Sequence, residues 1–336
     1  MLDIAPLSEL LAQPQKIVIT THHKPDGDAM GSSLGLYNYL IQQGHEVQVI
    51  TPTDYPDYLS WMPGNDKVIV YTDNLALAAT LIAGAEIIFC LDFNALNRIN
   101  EMGVLVGNSS AYKVLIDHHL EPEDFDDYRY WDTKACATAQ LIYKFIAEGL
   151  GHKELVNKDV ATCLYTGIMT DSASFSLPNT TADVHRITAE LMDAGAVNWQ
   201  INNLVYNNSS ESRLRFLGLC LSQRLEVLYE YNTAIIAVSK ADLDKYGINT
   251  GETEGIVNYA LSIAGIRLAA FIVERADKVK LSVRSRGDIP ANEICKKYFN
   301  GGGHLNASGG TSTDGFEHVV TKFKQILPEY KKLLMQ

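Results

Sequence analysis

The first half of the chain alternates short, almost continuously apolar runs with stretches that carry apolar residues at helical spacing. The runs are bounded by polar residues or glycine, which is typical of strands buried on both faces. They lie at residues 16–21, 46–51, 67–71, 86–92 and 113–118. Helices are predicted between them, for instance at 32–44 and 74–84. This alternation predicts an α/β fold with a doubly wound, mostly parallel sheet.

The second half changes in character. The pattern is mainly helical from 135 to about 194, and a stretch rich in Asn and Ser follows at 202–212. Beyond it, runs typical of strands return, followed by a glycine-rich loop and a last helix. These features lie at 226–239, 266–274, 279–285, 301–310 and 319–334, with a hairpin turn predicted at 275–278. We therefore predict a first domain at 1–195, a helical linker at 196–228 and a smaller α/β domain at 229–336.

Composition and charge narrow the class of protein. The chain has 336 residues, enough for about two domains, and a formal net charge of −12. Such an acidic chain is a poor candidate for clamping long DNA or for binding anionic membranes, because both need clustered Lys and Arg. Five scattered cysteines without a C-x-x-C pair indicate reduced thiols. We find no signal peptide and no apolar stretch long enough for a membrane span, and expect a cytoplasmic protein.

Acidic residues and histidines gather where predicted strands and one helix end. The members are His22, Asp26 and Asp28 after the first strand, Asp92 after the fourth, Asp117, His118 and His119 at the end of the fifth, and Asp171 at the end of an apolar helix. Parallel strands bring their carboxyl ends to one edge of a sheet, so these side chains are expected to converge. Five carboxylates there would repel one another without cations. Carboxylates and imidazoles without thiolates suit Mn²⁺ or Mg²⁺ better than a structural zinc ion.

Each cluster also has a purely structural interpretation. An Asp after a strand is often a helix cap, and the sequence PDGD is a common turn. Tandem histidines at a strand end can be one buried and one exposed residue, and Asp171 can be a capping residue. The occurrence of all four clusters at predicted element ends favours a metal site over four independent structural explanations.

A fifth feature is the glycine-rich loop that begins with Gly301, Gly302, Gly303 and His304. Its glycines allow close backbone approach to a ligand, and its amides can bind phosphate, although the loop can also be a tight turn. Residues 267–297 contain eight basic and four acidic side chains, a local excess of +4. Some of these basic side chains can simply be the solvent-exposed residues of a hairpin. Arg284 and Arg286 are two apart on a predicted strand and should share a face, with Ser285 on the other.

Four segments together resemble the motifs of the DHH phosphoesterase family. They are THHKPDGDAMGS (21–32), CLDFNALNR (90–98), LIDHHLEP (115–122) and YTGIMTDSASF (165–175). The sequences VKLSVRS (279–285) and GGGHLNASGG (301–310) resemble the C-terminal substrate-binding domain associated with this family. The resemblance covers essentially the whole chain, and its two-domain length is most similar to the NrnA-like subgroup of oligoribonucleases and pAp (3′-phosphoadenosine-5′-phosphate) phosphatases.

The resemblance implies roles for individual residues. His22 and Asp26 would bind one divalent ion, Asp28, His118 and Asp171 a second, and Asp92 both. His119 would lie beside the scissile phosphate as a general acid or a phosphate ligand, and Asp117 would orient an imidazole. The residues implied to hold the far phosphate or the nucleotide are Arg284, Ser285, Arg286, Gly301, Gly302, Gly303 and His304. Mn²⁺ is the expected metal, with Mg²⁺ and Fe²⁺ as alternatives.

The implied activity is two-metal hydrolysis of short oligoribonucleotides to mononucleotides, of pAp to AMP and phosphate, or of both. One alternative is a soluble phosphodiesterase for cyclic di-AMP or its linear product pApA. Another is a non-catalytic nucleotide-binding module, which the complete set of ligand residues disfavours. A processive exonuclease on long DNA is disfavoured by the charge. The sequence is compatible with a homodimer and leaves the oligomeric state open.

Overall fold

The computed structural model describes residues 4–249 and 251–336. The chain divides into two units, Met1–Asn208 and Ser209–Gln336, each with its own core. The division falls inside the segment 196–228 that the sequence predicts as a linker. Among the residues described, no helix is both long enough and apolar enough to cross a membrane.

The first unit contains six strands and eight α-helices in its described part. In chain order they are α1 (Ala5–Leu10), β1 (Lys16–Thr21), α2 (Gly27–Leu40), β2 (Glu46–Thr51), β3 (Ile69–Val70), α3 (Leu75–Gly84), β4 (Ile87–Leu91), α4 (Met102–Asn108), β5 (Tyr112–Asp117), β6 (Tyr128–Trp131), α5 (Thr138–Lys144), α6 (Lys158–Asp171), α7 (Ala182–Asp193) and α8 (Asn198–Tyr206). A π-helical turn at Phe145–Gly149 continues α5.

The second unit, over the residues described, contains five α-helices and six strands. They are α9 (Glu211–Gln223), β7 (Leu225–Leu228), β8 (Thr233–Val238), α10 (Lys240–Tyr246), α11 (Ile256–Leu261), β9 (Leu268–Glu274), β10 (Val279–Ser285), α12 (Ala291–Tyr298), β11 (Gly302–His304), β12 (Ala307–Ser312) and α13 (Phe316–Leu334).

The first sheet is parallel throughout, with the strand order β3-β2-β1-β4-β5-β6. Successive residues of each strand face opposite sides. In β1, Ile17 and Ile19 join the core that includes α2, α5 and α6, whereas Val18 joins the core that includes α3 and α4. Helices thus cover both faces, which explains the continuous apolar runs. The predicted α/β fold with a doubly wound parallel sheet is confirmed.

Two strands differ from the prediction. The strand expected at 67–71 is reduced to Ile69–Val70, because 3₁₀ turns occupy the residues on either side. The edge strand β6 was not predicted from the sequence. It is half-exposed and contains Arg129 among aromatic residues, so it lacks the apolar run that indicates a buried strand.

Glycines allow α2 and α6 to pack very closely. Gly27, Gly31 and Gly35 follow one another at intervals of four and therefore lie on one face of α2. A Cβ atom at Gly31 would lie only 2.6 Å from the carbonyl oxygen of Cys163 and 2.7 Å from the amide nitrogen of Gly167, both in α6. This packing matters for the site, because α2 begins, and α6 ends, at the sheet edge where the acidic residues gather.

The second sheet is mixed, in the order β11-β12-β10-β9-β8-β7. Only the β8–β9 pair is parallel among the pairs in its described strands. The hairpin turn predicted at 275–278 is confirmed, since the N–H of Arg275 donates to the carbonyl of Lys278 at 2.8 Å. The sequence predicts a loop at the glycine-rich segment 301–310, and this prediction is wrong. The segment forms the hairpin of β11 and β12. Glycine has no side chain, so a strand rich in glycine shows no alternation of apolar and polar residues and cannot be predicted from that pattern.

Candidate metal centre

The segment after β1 brings two predicted ligands together. The Nδ1 atom of His22 lies 2.9 Å from the carbonyl oxygen of His23, while its Nε2 lies 3.8 Å from Oδ1 of Asp26. Asp26 also caps α2, because its Oδ1 accepts the backbone N–H of Asp28 at 3.0 Å and that of Ala29 at 3.1 Å. The capping role that the simpler interpretation predicted therefore coexists with a place in the cluster.

Asp28 is buried in the first turn of α2 and contacts the start of α5. Its Oδ2 accepts the N–H of Thr138 at 2.6 Å, and its Oδ1 accepts that of Ala139 at 2.9 Å. Helix N-termini carry unpaired N–H groups and partial positive charge, so α5 helps to solvate this carboxylate. Burial and the charges of Asp92 and Asp171 still raise the pKa of Asp28 well above its usual value. A neighbouring cation would offset that effect.

Asp92 lies at the centre of the cluster. It follows β4 directly, and its φ of 62° is left-handed, a conformation that costs energy for a residue other than glycine. Its Oδ2 lies 3.5 Å from Nε2 of His22, and its Oδ1 lies 3.5 Å from Nε2 of His118. The two oxygens of one buried carboxylate therefore face two different imidazoles.

His118 follows β5 and presents its Nε2 to three carboxylates. Its Nδ1 lies 3.1 Å from the carbonyl oxygen of Ala135, which can only accept, so Nδ1 carries a proton. Besides Asp92, the Nε2 atom faces Oδ2 of Asp171 at 3.5 Å and Oδ2 of Asp28 at 3.9 Å. Asp171 is the last residue of α6, at the helix end where the sequence predicted it.

His119 and Asp117 form a hydrogen-bonded pair beside this group. The Nδ1 atom of His119 lies 2.8 Å from Oδ1 of Asp117 and 3.7 Å from Oδ1 of Asp92. The Asp117 side chain is fully buried at the end of β5, while His119 is partly exposed. This hydrogen bond with Asp117 constrains the orientation of the His119 ring.

The imidazoles and carboxylates shift one another's pKa values. Burial opposes a charge on His22, but the hydrogen bonds and charges of Asp26 and Asp92 outweigh it and raise its pKa to about 10. Burial likewise disfavours a charge on Asp92, yet hydrogen bonds with His118 and His22 hold the pKa of that carboxyl well below its usual range. Burial is also the main reason why the pKa of Asp171 rises to about 6. Perturbation of this kind is typical of functional sites.

The residues fit a pair of divalent ions. In the described part of the first unit, three groups of donor atoms lie within 4.8 Å of one another, and all three include Asp92. They are His22, Asp26 and Asp92; Asp28, Asp92 and His118; and Asp92, Asp117 and His119. The donors are carboxylate oxygens and imidazole nitrogens, the set that suits Mn²⁺, Mg²⁺ or Fe²⁺. The carbonyl partners at Nδ1 of His22 and His118 leave Nε2 as the ligating atom.

The substrate-binding residues predicted in the second unit occupy different environments. Arg284 lies opposite Ala307 on β12, and Ala307 lies opposite His304 on β11. Directly paired residues share a face, so Arg284 and His304 flank a small residue in one row of the sheet. Ser285 is buried, and its hydroxyl donates to the carbonyl of Ile289 at 2.6 Å.

Arg286 and the three glycines complete that set. Arg286 follows the end of β10, where its Nη2 donates to the carbonyl of Leu261 at 2.9 Å, so it does not continue the row of Arg284. Cβ atoms at Gly301 and Gly303 would collide with the backbone of β12, whereas one at Gly302 would meet no atom within 4 Å. The close approach of β11 and β12 therefore accounts for Gly301 and Gly303, and Gly302 lies in open space.

Sequence reasoning missed the segment Ala135–Ala139, which contacts three of the predicted ligands. Its contacts with Asp28 and His118 are described above, and the hydroxyl of Thr138 donates to Asp92. No local signal marks these residues, because their partners lie far away in the chain.

Comparisons with known proteins identify the two domains of the chain. A sequence model of the DHH family, N-terminal domain, matches residues 16–168, and one of the DHHA1 domain matches residues 231–334. The chain is 29% identical to the bifunctional oligoribonuclease and PAP phosphatase NrnA of Bacillus subtilis, over 94% of this chain and 96% of that protein. It is 31% identical to the protein of the same name from Thermus thermophilus, over 88% of this chain and 83% of the relative.

A solved structure extends the comparison to the fold. The crystal structure of an exopolyphosphatase-related protein from Bacteroides fragilis is 41% identical, with a TM-score of 0.95 over 99% of this chain and 97% of that one. The matched domains, their order and the similarity to NrnA proteins over most of the chain lead to one assignment. The chain belongs to the DHH phosphoesterase family, with an N-terminal DHH domain followed by a DHHA1 domain, and falls in its NrnA-like subgroup.

Proposed function

We propose that the protein is a metal-dependent hydrolase of phosphoester bonds that converts pAp to AMP and phosphate and degrades short oligoribonucleotides to mononucleotides. The observation that carries this proposal is the position of Asp92 in all three donor groups of the first unit. The relatives named bifunctional oligoribonuclease and PAP phosphatase point to the substrates.

Two divalent ions would be held by six residues. His22 and Asp26 would hold one ion, Asp28, His118 and Asp171 the other, and Asp92 would hold both. When bound, such ions supply an activated water and neutralise charge on the phosphoryl oxygens. Mn²⁺ is the proposed metal, with Mg²⁺ and Fe²⁺ as alternatives from the same donor set.

His119 is the proposed general acid. Nδ1–H of its ring donates a hydrogen bond to Oδ1 of Asp117, which fixes the orientation of the ring. We therefore assign Nε2 as the atom that contacts the scissile phosphate and passes a proton to the leaving oxygen. This role needs no ligation by His119.

The DHHA1 domain would bind the remaining phosphate or the nucleotide. Arg284 and His304 share a row of the second sheet, so they can offer a bidentate guanidinium and an imidazole to one anion. Gly302 would add a backbone amide in a place without side-chain obstruction. Ser285 and Arg286 are proposed to support this surface through their bonds to neighbouring backbone carbonyls.

The charge distribution favours short substrates. A chain of net charge −12 is a poor candidate for holding long nucleic acid, while the local excess of basic residues at 267–297 suits the end of a short phosphorylated one. Binding of long DNA is therefore not part of this proposal. The cytoplasmic location stays a prediction of the sequence, and the oligomeric state stays open, with a homodimer compatible with the sequence.

The proposal is tested by a panel of substrates under one set of conditions. Initial rates on pAp, on RNA of two to five nucleotides, on pApA and on cyclic di-AMP are measured with Mn²⁺, for the wild type and for Asp92→Ala. We expect turnover of pAp and short RNA that Asp92→Ala abolishes and that the exposed-acid control Asp66→Asn retains. Faster turnover of cyclic di-AMP or pApA would favour the alternative activity. Absence of turnover on every substrate would contradict the proposal.

A further inference from the structure

The start of α5 reaches deep into the candidate metal centre. Thr138 is the first residue of α5 and is completely buried. Its backbone N–H donates to Asp28, and its side-chain hydroxyl donates to Oδ1 of Asp92 at 3.0 Å. One residue therefore contacts two of the carboxylates that the site must hold close together.

The hydroxyl acts on the carboxylate that both proposed ions share. Oδ1 of Asp92 faces His118, while Oδ2 faces His22 on the other side. Rotation of the carboxylate about its last bond would exchange or misalign these two oxygens. The hydrogen bond from Thr138 to Oδ1 of Asp92 opposes that rotation. The branched side chain of Thr138, at the start of the helix, has few alternative rotamers.

We propose that Thr138 is a positioning residue for the metal centre: its hydroxyl holds the Asp92 carboxylate so that each oxygen serves a different ion. This inference rests on the proposed metal-dependent function. Groups that hydrogen-bond to metal ligands typically change metal affinity or activity about 10- to 100-fold when removed. Loss of the hydroxyl should therefore weaken metal binding by about that factor.

A merely structural role makes a different prediction. A buried hydroxyl with a good acceptor stabilises a fold wherever it lies, so its removal would lower thermal stability without a specific effect on metal affinity. Thr166 offers a matched control, because it is also completely buried and its hydroxyl donates to the backbone carbonyl of Thr162 at 2.8 Å. Thr166→Val removes a comparable buried hydroxyl whose hydrogen bond goes to a backbone carbonyl.

The test measures Mn²⁺ affinity by isothermal titration calorimetry for the wild type, Thr138→Val, Thr138→Ser and Thr166→Val, each shown by circular dichroism to be folded. We expect Thr138→Val to weaken binding 10- to 100-fold, Thr138→Ser to stay within about threefold of the wild type, and Thr166→Val to keep full affinity. If Thr138→Val does not fold, Thr138→Ala takes its place.

The outcomes separate the inference from the proposed function. Wild-type affinity in Thr138→Val, or an equal loss in Thr166→Val, would overturn the role of Thr138 while leaving the function intact. Failure of Thr138→Ser to restore affinity would also contradict it. Absence of Mn²⁺ binding by the wild type would overturn both.

Discussion

Replacing Gly31 by alanine tests whether the close packing of α2 against α6 sets the geometry of the metal centre. α2 carries Asp28 in its first turn, and α6 ends at Asp171. A methyl group at Gly31 would lie 2.6 Å from the carbonyl oxygen of Cys163 and 2.7 Å from the amide nitrogen of Gly167. Both atoms belong to the backbone, so no side-chain rotation can relieve the overlap.

The structure gives the size of the effect. Ordinary contact of a Cβ atom begins at 3.4 Å, so the helices would have to separate by about 0.8 Å. Overpacking of this kind costs up to about 3 kcal/mol, and the better helix propensity of alanine returns about 1 kcal/mol. The net loss of up to about 2 kcal/mol corresponds to a fall in Tm of up to about 8 °C for a unit of this size. Activity should fall roughly 10- to 100-fold, because displacements near 1 Å in a site have effects of that order.

Urea unfolding, thermal melting and hydrolysis of pAp measure these quantities. Gly84→Ala is the control, since Gly84 ends α3 in the same unit and a Cβ there meets no atom within 4 Å. It should be neutral or slightly stabilising and fully active. If Gly31→Ala were as stable and as active as Gly84→Ala, the inferred link between helix packing and site geometry would be wrong.

Three further predictions follow from burial and contact. Burial raises the pKa of all five thiols, those of Cys90, Cys136, Cys163, Cys220 and Cys295. A thiol reagent at pH 8 should therefore modify fewer than one cysteine per chain in the native protein and five after denaturation. Rapid reaction of two or more cysteines in the native protein would contradict their burial. Despite burial, neighbouring carboxylates raise the pKa of His22 to about 10 and that of His118 well above its usual value, so both are protonated near pH 7. Because a histidine binds a metal through a neutral Nε2, Mn²⁺ binding should release protons and become tighter as pH rises. Calorimetry in buffers of different ionisation enthalpy measures the release, and equal binding heats in all buffers would contradict it. Gly301→Ala should lower the Tm, because its Cβ would overlap the carbonyl oxygen of Gly309, whereas Gly302→Ala should melt like the wild type; equal melting of the two variants would be inconsistent with the β11–β12 hairpin.

The parts of the fold that could be predicted are those with a strong local pattern. Strand β4 is apolar along its whole length because both of its faces are buried, and the predicted ligands other than Asp171 follow buried strands at one sheet edge. The edge strand β6 and the glycine-rich hairpin lack that pattern. The contacts of Thr138 could not be predicted from the sequence, because its partners Asp28 and Asp92 are 110 and 46 positions away along the chain. Only the fold brings these residues together.

We propose that the cluster around Asp92 binds two divalent ions. The most direct measurement is the number of Mn²⁺ ions retained per chain at equilibrium, in the wild type and in Asp92→Ala. We expect two ions in the wild type and fewer than one in Asp92→Ala, because that carboxylate serves both ions. Retention of two ions by Asp92→Ala, or of none by the wild type, would contradict it.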